Sequence, residues 1–91
     1  MTRAITDIGT RPFRCKLCDN VGSGWKGKDE RAVAQHVAMT YGVSDKKNVH
    51  KIWKEKHGFA VVPRTMHEAN QSTDMILAKH IHEVAEGTNT N

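Results

Sequence analysis

The sequence predicts a small, mostly helical α+β domain, in which a short hairpin precedes three helices at about residues 29–41, 45–57 and 73–86. The chain has 91 residues, of which 37% are hydrophobic and 5% aromatic, enough for one domain with a modest core. Three glycines surround Trp25 in the segment 21–27, and glycine permits the turns of a hairpin or irregular loop. Three later segments carry apolar residues three and four positions apart, which is the spacing of one helical face.

The first helix is predicted to begin at Asp29, because aspartate accepts hydrogen bonds from the free N–H groups of a first helical turn. Ala32, Val33 and Val37 form its apolar face. Gly42 follows the helix and is expected to stop it.

Ser44 is predicted to cap the second helix, whose apolar stripe consists of Val49, Ile52, Trp53 and the stem of Lys56. The segment 59–63 is short, apolar and ended by proline, which is typical of a strand or extended segment. Residues 64–71 are polar and are predicted to be a connection. The third helix is expected to end at Gly87 and has an apolar face formed by Leu77, Ala78, Ile81, Val84 and Ala85. A single domain over residues 11–87 is predicted, with a flexible arm at 1–10 and a disordered tail at 88–91.

Cys15 and Cys18 are the only cysteines, and two residues separate them. A disulfide across so short a loop would remove little entropy from the unfolded chain. Zinc prefers tetrahedral sets of thiolates and imidazoles, and this spacing lets both sulfurs face one ion. With His36 at a distance that a small module can span, the sequence predicts a Zn²⁺ site that stabilises the modest core.

The fourth zinc ligand is chosen from His50 and His57, with His67 behind them. His50 and His57 lie seven residues apart, and therefore on one edge of the second helix. We favour His50 because its backbone is held in mid-helix, whereas His57 lies beside the terminating Gly58 and can instead cap carbonyls. Two further histidines fall on different faces of the third helix and are interpreted as structural: His80 and His82.

In order along residues 12–41, the chain contains Phe13, Cys15, Cys18, Trp25, Val33 and His36. This arrangement resembles the zinc fingers of the Cys2His2 class, in which a hairpin supplies the thiolates and a helix the imidazoles. The chain differs from that class in two ways. Seventeen residues separate Cys18 from His36, where about twelve are usual, and Thr40 and Tyr41 stand where the second histidine belongs. A longer loop costs little closure entropy, so the resemblance implies a finger with a displaced second histidine.

Residues 37–53 resemble the helix-turn-helix of bacterial repressors, in which alanine packs tightly, glycine makes the turn and serine caps the recognition helix. The resemblance implies that lysines contact phosphate and that Asn48 pairs with adenine. The residues that it places at the major groove are Asp45, Lys46, Lys47, Asn48, Lys51 and Lys54. The alternative is simply two helices joined by a short glycine turn.

Charge is unevenly distributed along the chain. Residues 1–64 carry thirteen Lys/Arg against six Asp/Glu, a net charge of +7, whereas residues 65–91 carry one lysine against four acids, a net charge of −3. This asymmetry favours a partner that is phosphate-rich or acidic. We therefore predict a nucleic-acid-binding protein with structural zinc, preferring duplex DNA, whose contacts come from Lys46, Lys47, Asn48, Lys51, Lys54, Arg14, Lys16, Lys26 and Lys28.

Two other classes of function remain as alternatives. Zinc modules of this size also serve as protein-protein interaction modules, and fold alone does not decide between the two. Catalysis is not expected, because the sequence lacks a recognisable metalloenzyme spacing or phosphate-binding glycine loop, and no small-molecule substrate is predicted. The sequence also lacks a long apolar run and a secretion signal, so no membrane association and an intracellular setting are expected.

Overall fold

The computed structural model describes residues 12–87, and its sheet has three short antiparallel strands. Strand β1 (Phe13–Cys15) is central, with β2 (Lys26–Gly27) on one side and β3 (Ala85–Gly87) on the other. Phe13 lies opposite Gly27 in one pair and opposite Gly87 in the other. The predicted hairpin is therefore present as β1 and β2. The arm at 1–10 and the tail at 88–91 lie outside the described residues.

The helical part follows β1 directly. Its elements are α1 (Lys16–Asn20), α2 (Glu30–Met39), two 3₁₀ turns (Gly42–Ser44 and Lys46–Asn48), α3 (Val49–Lys56), α4 (Met66–Met75), a π-helical segment (Ile76–His80) and α5 (Ile81–Val84). The α+β, mostly helical class predicted from the sequence is confirmed. Within the described range, no helix combines the length and apolar character needed to cross a membrane.

Helix α2 is the centre of the packing. Asp29 caps it as predicted, its Oδ1 accepting a hydrogen bond from the Ala32 N–H at 2.8 Å. The buried face of α2 contacts both α4 and the sheet, and it consists of Val33, Ala34, Val37 and Ala38. These small side chains let the neighbouring elements approach closely, which suits a domain with few aromatic residues.

The third predicted helix begins earlier than expected. Residues 64–71 are not a connection, because α4 starts at Met66. Thr65 caps it by accepting a hydrogen bond from the Glu68 N–H at 3.1 Å, and the Glu68 carboxylate accepts one from the Arg64 N–H at 2.6 Å. The buried residues of α4 are Ala69, Ser72 and Thr73, so its buried face lacks the large apolar side chains by which a sequence pattern is recognised.

The same helix also ends earlier than expected. Gly87 does not terminate it; α5 ends at Val84, and the next three residues form β3. Glu86 lies opposite Arg14 of β1, and their charged groups are 3.3 Å apart. Pairing with a strand near the other end of the chain thus overrides the local helical preference.

The second predicted helix is shorter than the expected range 45–57. Lys47 and Asn48 both have φ of 56°, in the left-handed region, and α3 begins only at Val49. The predicted stripe is also wrong in part, because Ile52 is 59% exposed whereas Trp53 is 8% exposed. Ser44 does not cap α3, since its hydroxyl donates to the Tyr41 carbonyl. The segment 59–63 contains no strand.

Lys54, which was predicted to contact nucleic acid, is buried in the structure. Its side chain is 0% exposed, and its ammonium donates to the carbonyls of Ala38, Thr40 and Val61 at 3.2, 3.1 and 2.7 Å. Two of these carbonyls belong to the end of α2, where backbone acceptors lack helical partners. Burial, partly offset by the carboxylate of Asp45, lowers the pKa of Lys54 to about 8. The prediction that Lys54 faces a nucleic acid is wrong.

We predict that Lys54 makes the free energy of unfolding rise with pH above about 8. Its pKa lies near 8 in the folded protein and near 10.5 in the unfolded chain, so the unfolded state binds more protons in between. The slope is at most about 1.4 kcal/mol per pH unit. In urea unfolding of the metal-loaded proteins from pH 7.5 to 10, the free energy of unfolding of wild type should rise relative to that of Lys54→Met as pH increases. Lys56→Met, at an exposed position, should track wild type; a Lys54→Met difference that stays constant would contradict the prediction.

Candidate metal centre

Four side chains from four different elements meet in the core. Cys15 ends β1, Cys18 lies in α1, His36 in α2 and His50 in α3. One potential ligand atom from each lies within 4.8 Å of all the others. Both cysteines are free thiols and, like His50, they are buried. The cluster can hold a metal ion.

The spacing of the ligand atoms is close to that of a tetrahedral site. Cys18 Sγ is 3.1 Å from His36 Nε2 and 3.6 Å from His50 Nε2, and Cys15 Sγ is 3.4 Å from His50 Nε2. Zinc–sulfur and zinc–nitrogen bonds of ordinary length, set at tetrahedral angles, separate a sulfur from a nitrogen by about 3.6 Å. These three distances differ from the tetrahedral value by roughly 0.5 Å or less, and all the ligand atoms lie within 4.8 Å of one another.

Asp45 fixes the orientation of His50. Its Oδ1 lies 2.8 Å from His50 Nδ1 and accepts from the His50 N–H at 3.0 Å, while its Oδ2 accepts from the Lys51 N–H at 2.9 Å. An ionised carboxylate only accepts, so Nδ1 carries the proton and the lone pair of Nε2 points at the sulfurs. Burial alone would raise the pKa of Asp45, but these hydrogen bonds lower it overall and keep the carboxylate charged. The placement of Asp45 at a DNA groove is therefore wrong, since its side chain is buried.

Thr40 plays the corresponding role for His36. The Thr40 hydroxyl donates a hydrogen bond to the His36 carbonyl. Its oxygen can then accept a hydrogen bond from the N–H at His36 Nδ1, and these two atoms are 3.2 Å apart. This arrangement again leaves Nε2 free as a ligand. The position that holds a second histidine in the resembling zinc fingers thus supports the first histidine here.

Trp25 stacks on one face of the His36 ring. The two rings are stacked with centroids 3.9 Å apart and planes 12° from parallel. A Cβ at Gly27 would come within 2.7 Å of the indole, so this strand position needs glycine. Burial is the main reason that the pKa of His36 falls to about 4, and the imidazole is therefore neutral and available to a metal at pH 7.

The two buried sulfurs explain why a cation belongs here. Burial raises the pKa of the Cys15 thiol to about 12, so a thiolate without a compensating charge is unfavourable at this place. A divalent ion supplies that charge and displaces the thiol protons. Metal affinity should therefore be coupled to folding of the whole core.

The other predicted site residues lie elsewhere. His57 is not part of this cluster, and His67 is exposed on α4. Arg14 pairs with Asp19 and Glu86, and the Lys16 ammonium donates to the His82 carbonyl at 2.7 Å. The remaining six candidates for nucleic-acid contact are exposed: Lys26, Lys28, Lys46, Lys47, Asn48 and Lys51.

Sequence reasoning missed the two supporting residues of the centre. Asp45 was interpreted as a surface residue, although an acid shortly before a histidine-bearing helix is a usable signal for a histidine-orienting carboxylate. Thr40 lies four residues after His36, one helical turn away, and that spacing is the only local sign of its contact with the imidazole.

We predict that His50→Ala abolishes tight metal binding, because the tetrahedral set loses a ligand and the buried thiols lose their compensating ion. Metal content after gel filtration, with a chelator competition, measures this. His67→Ala is the matched control and should retain about one tight metal ion per chain. A His50→Ala protein that keeps wild-type affinity would contradict the assignment of the fourth ligand.

Asp45→Asn should weaken metal binding by roughly 10- to 100-fold, because the carboxylate that orients His50 and raises its basicity is lost. Competition with a chromophoric chelator gives the affinity, and circular dichroism checks that the variant folds. Glu55→Gln makes the same change of charge at an exposed position of α3 and should leave the affinity unchanged. Equal affinities for Asp45→Asn and wild type would remove Asp45 from the centre.

Comparisons with known proteins add no relative to this picture. Models of protein families, curated proteins and solved structures all gave no match to the chain. The assignment of a metal centre therefore depends on the chemistry and spacing of its four side chains. The resemblance to Cys2His2 zinc fingers stays a prediction.

Proposed function

We propose that this protein is a small zinc-stabilised domain that binds nucleic acid, preferentially duplex DNA, through the basic segment 46–51. The observation that carries the proposal is that His50, a member of the candidate metal centre, lies within this segment, whose side chains at Lys46, Lys47, Asn48 and Lys51 are exposed. A metal ion bound at His50 would therefore act on the same short segment that carries the exposed positive charges.

The donor set supports zinc as the ion. Two thiolates with two imidazoles suit zinc, and four protein ligands leave no position for a reactive water. The ion is therefore proposed to be structural, in a protein that does not catalyse a reaction. Its free thiols fit a reducing, intracellular setting.

The clamp around Asp45 explains how the ion would shape the basic segment. The Asp45 carboxylate accepts from the backbone N–H groups of His50 and Lys51, as well as from the His50 ring. The left-handed backbone at Lys47 and Asn48 forms the turn between Asp45 and the residues to which it is hydrogen-bonded. Loss of metal would remove one of the two constraints on His50, the other being Asp45, and would loosen the segment that follows Asp45.

Electrostatics support a polyanionic partner. The chain has a net charge of +4, and exposed lysines near phosphates release counterions on binding. Lys26 and Lys28 add exposed positive charge at and after β2. We propose that all these lysines contact phosphate, while Asn48 contacts a base edge.

A specific observation keeps a protein partner as the second candidate. Val43 is fully exposed and Ile52 largely so, and they flank the basic segment on either side along the chain. Apolar side chains beside positive charge suit an acidic protein surface as well as they suit DNA. In this alternative the zinc remains structural.

We predict that replacing Lys46, Lys47 and Lys51 together with glutamine strongly weakens binding to random duplex DNA. The slope of log affinity against log salt should fall by up to roughly 3, as expected for three lost phosphate contacts. Fluorescence anisotropy at several salt concentrations measures both quantities. The matched control replaces Lys56, Arg64 and Lys79 with glutamine, which removes the same charge at exposed positions.

A zinc-removal experiment tests whether DNA binding depends on the metal. Removal of zinc by a chelator should abolish binding in wild type, and zinc should restore it. No binding of wild type at low salt would refute nucleic-acid binding and favour the protein partner. Equal losses in the two triple variants would show only an effect of net charge and would refute the assignment to segment 46–51.

A further inference from the structure

A second cluster of potential metal ligands lies near the end of α3. It consists of His57, His80 and Glu83, whose ligand atoms lie within 4.8 Å of one another. His57 Nε2 is 2.9 Å from Glu83 Oε1, and His80 Nδ1 is 2.8 Å from Glu83 Oε2. None of the three belongs to the cysteine-histidine centre.

The hydrogen bond of His57 to the backbone sets its tautomer. Its Nδ1 lies 2.9 Å from the Trp53 carbonyl, which can only accept, so Nδ1 carries a proton. In the neutral imidazole the lone pair of Nε2 then faces the Glu83 carboxylate, which is also an acceptor. Two acceptors at this distance require either a shared proton or a metal ion between them.

The three side chains are held in place by contacts that do not use their ligand atoms. Trp53 stacks on His57 with ring centroids 4.3 Å apart and planes 28° from parallel. His80 meets the edges of His57 and Phe59 at 4.7 and 5.7 Å. The cluster is therefore preorganised by its aromatic neighbours.

We propose that His57, His80 and Glu83 bind a second zinc ion, more exchangeable than the first. Two imidazoles and one carboxylate form a donor set that zinc accepts, and three protein ligands leave one position open. Tetrahedral ligands of this kind lie about 3.3 Å apart, slightly farther than the observed contacts. The partly exposed His80 and Glu83 can make this adjustment.

The open position of this site would face a surface groove. The groove has a volume of about 640 Å³, and His57 and His80 lie in its wall together with Glu68 and Lys79. Solvent access explains why an ion here would exchange readily, whereas the buried sulfur ligands would retain theirs. The proposal is independent of nucleic-acid binding.

Zinc stoichiometry of the 91-residue chain tests this inference. Equilibrium dialysis against free zinc in excess should give about two ions per chain for wild type, and about one for Glu83→Gln and for His80→Ala. His82→Ala is the matched control, because it removes an exposed neighbouring histidine outside the cluster, and should keep both ions. Circular dichroism confirms that each variant is folded.

A fluorescence measurement localises the second ion. In Trp25→Phe the remaining tryptophan is Trp53, which stacks on His57, so cobalt added to the protein already holding one zinc should quench its emission. Glu83→Gln in the same background should lose most of this quenching. One ion in wild type, or two ions retained in both Glu83→Gln and His80→Ala, would overturn the proposal and leave the cluster as an ion pair of carboxylate and imidazolium.

Discussion

The convergence of two thiols and two imidazoles inside a very small core is the constraint on which the rest of the structure depends. Cys15 ends β1 and Cys18 lies in the adjoining helix α1, whereas His36 and His50 come from two later helices. A chain of this size buries little apolar surface per residue, so a cross-link among its elements stabilises it more than further contacts of small side chains. The ion would connect the sheet to α2 and α3 at one point.

Two buried charged groups lie near these four side chains, the Asp45 carboxylate and the Lys54 ammonium, and both are hydrogen-bonded. The Asp45 carboxylate accepts three hydrogen bonds, and the Lys54 ammonium donates to three carbonyls. Unpaired, either charge would be strongly destabilising in the core. Paired in this way, they hold the end of α2 and the start of α3 in the geometry that directs both imidazoles toward the sulfurs.

The two clusters differ in ways that suit different roles. The cysteine-histidine centre is closed by buried sulfurs and by two side chains that set the histidine tautomers. The His57–His80–Glu83 cluster lacks sulfur, has both of its histidines in the wall of a surface groove, and is packed against Trp53 through His57. Trp53 therefore belongs both to the core and to the second cluster, which makes α3 the element that links them.

Local chemistry in the sequence was sufficient for several features. The thiol pair, the hairpin around Trp25, the Asp29 cap and the mostly helical class all follow from short-range patterns. These patterns work because two closely spaced cysteines, glycine turns and helix caps act over a few residues. The preference for His50 over His57 was also reached from position alone.

Other features were decided only by the tertiary structure. Strand β3 exists because Ala85–Gly87 finds β1 at the far end of the chain, and α4 begins early because its small residues pack against α2. Lys54 and Asp45 look like surface residues in the sequence, yet the fold buries both, since each finds hydrogen-bond partners that lie outside its own helical turn. The sequence by itself thus determined the thiol pair and a short set of candidate histidines, because these depend on residue type and local spacing. The packing of distant elements decided which imidazoles meet the sulfurs, how they are oriented and which charges remain at the surface.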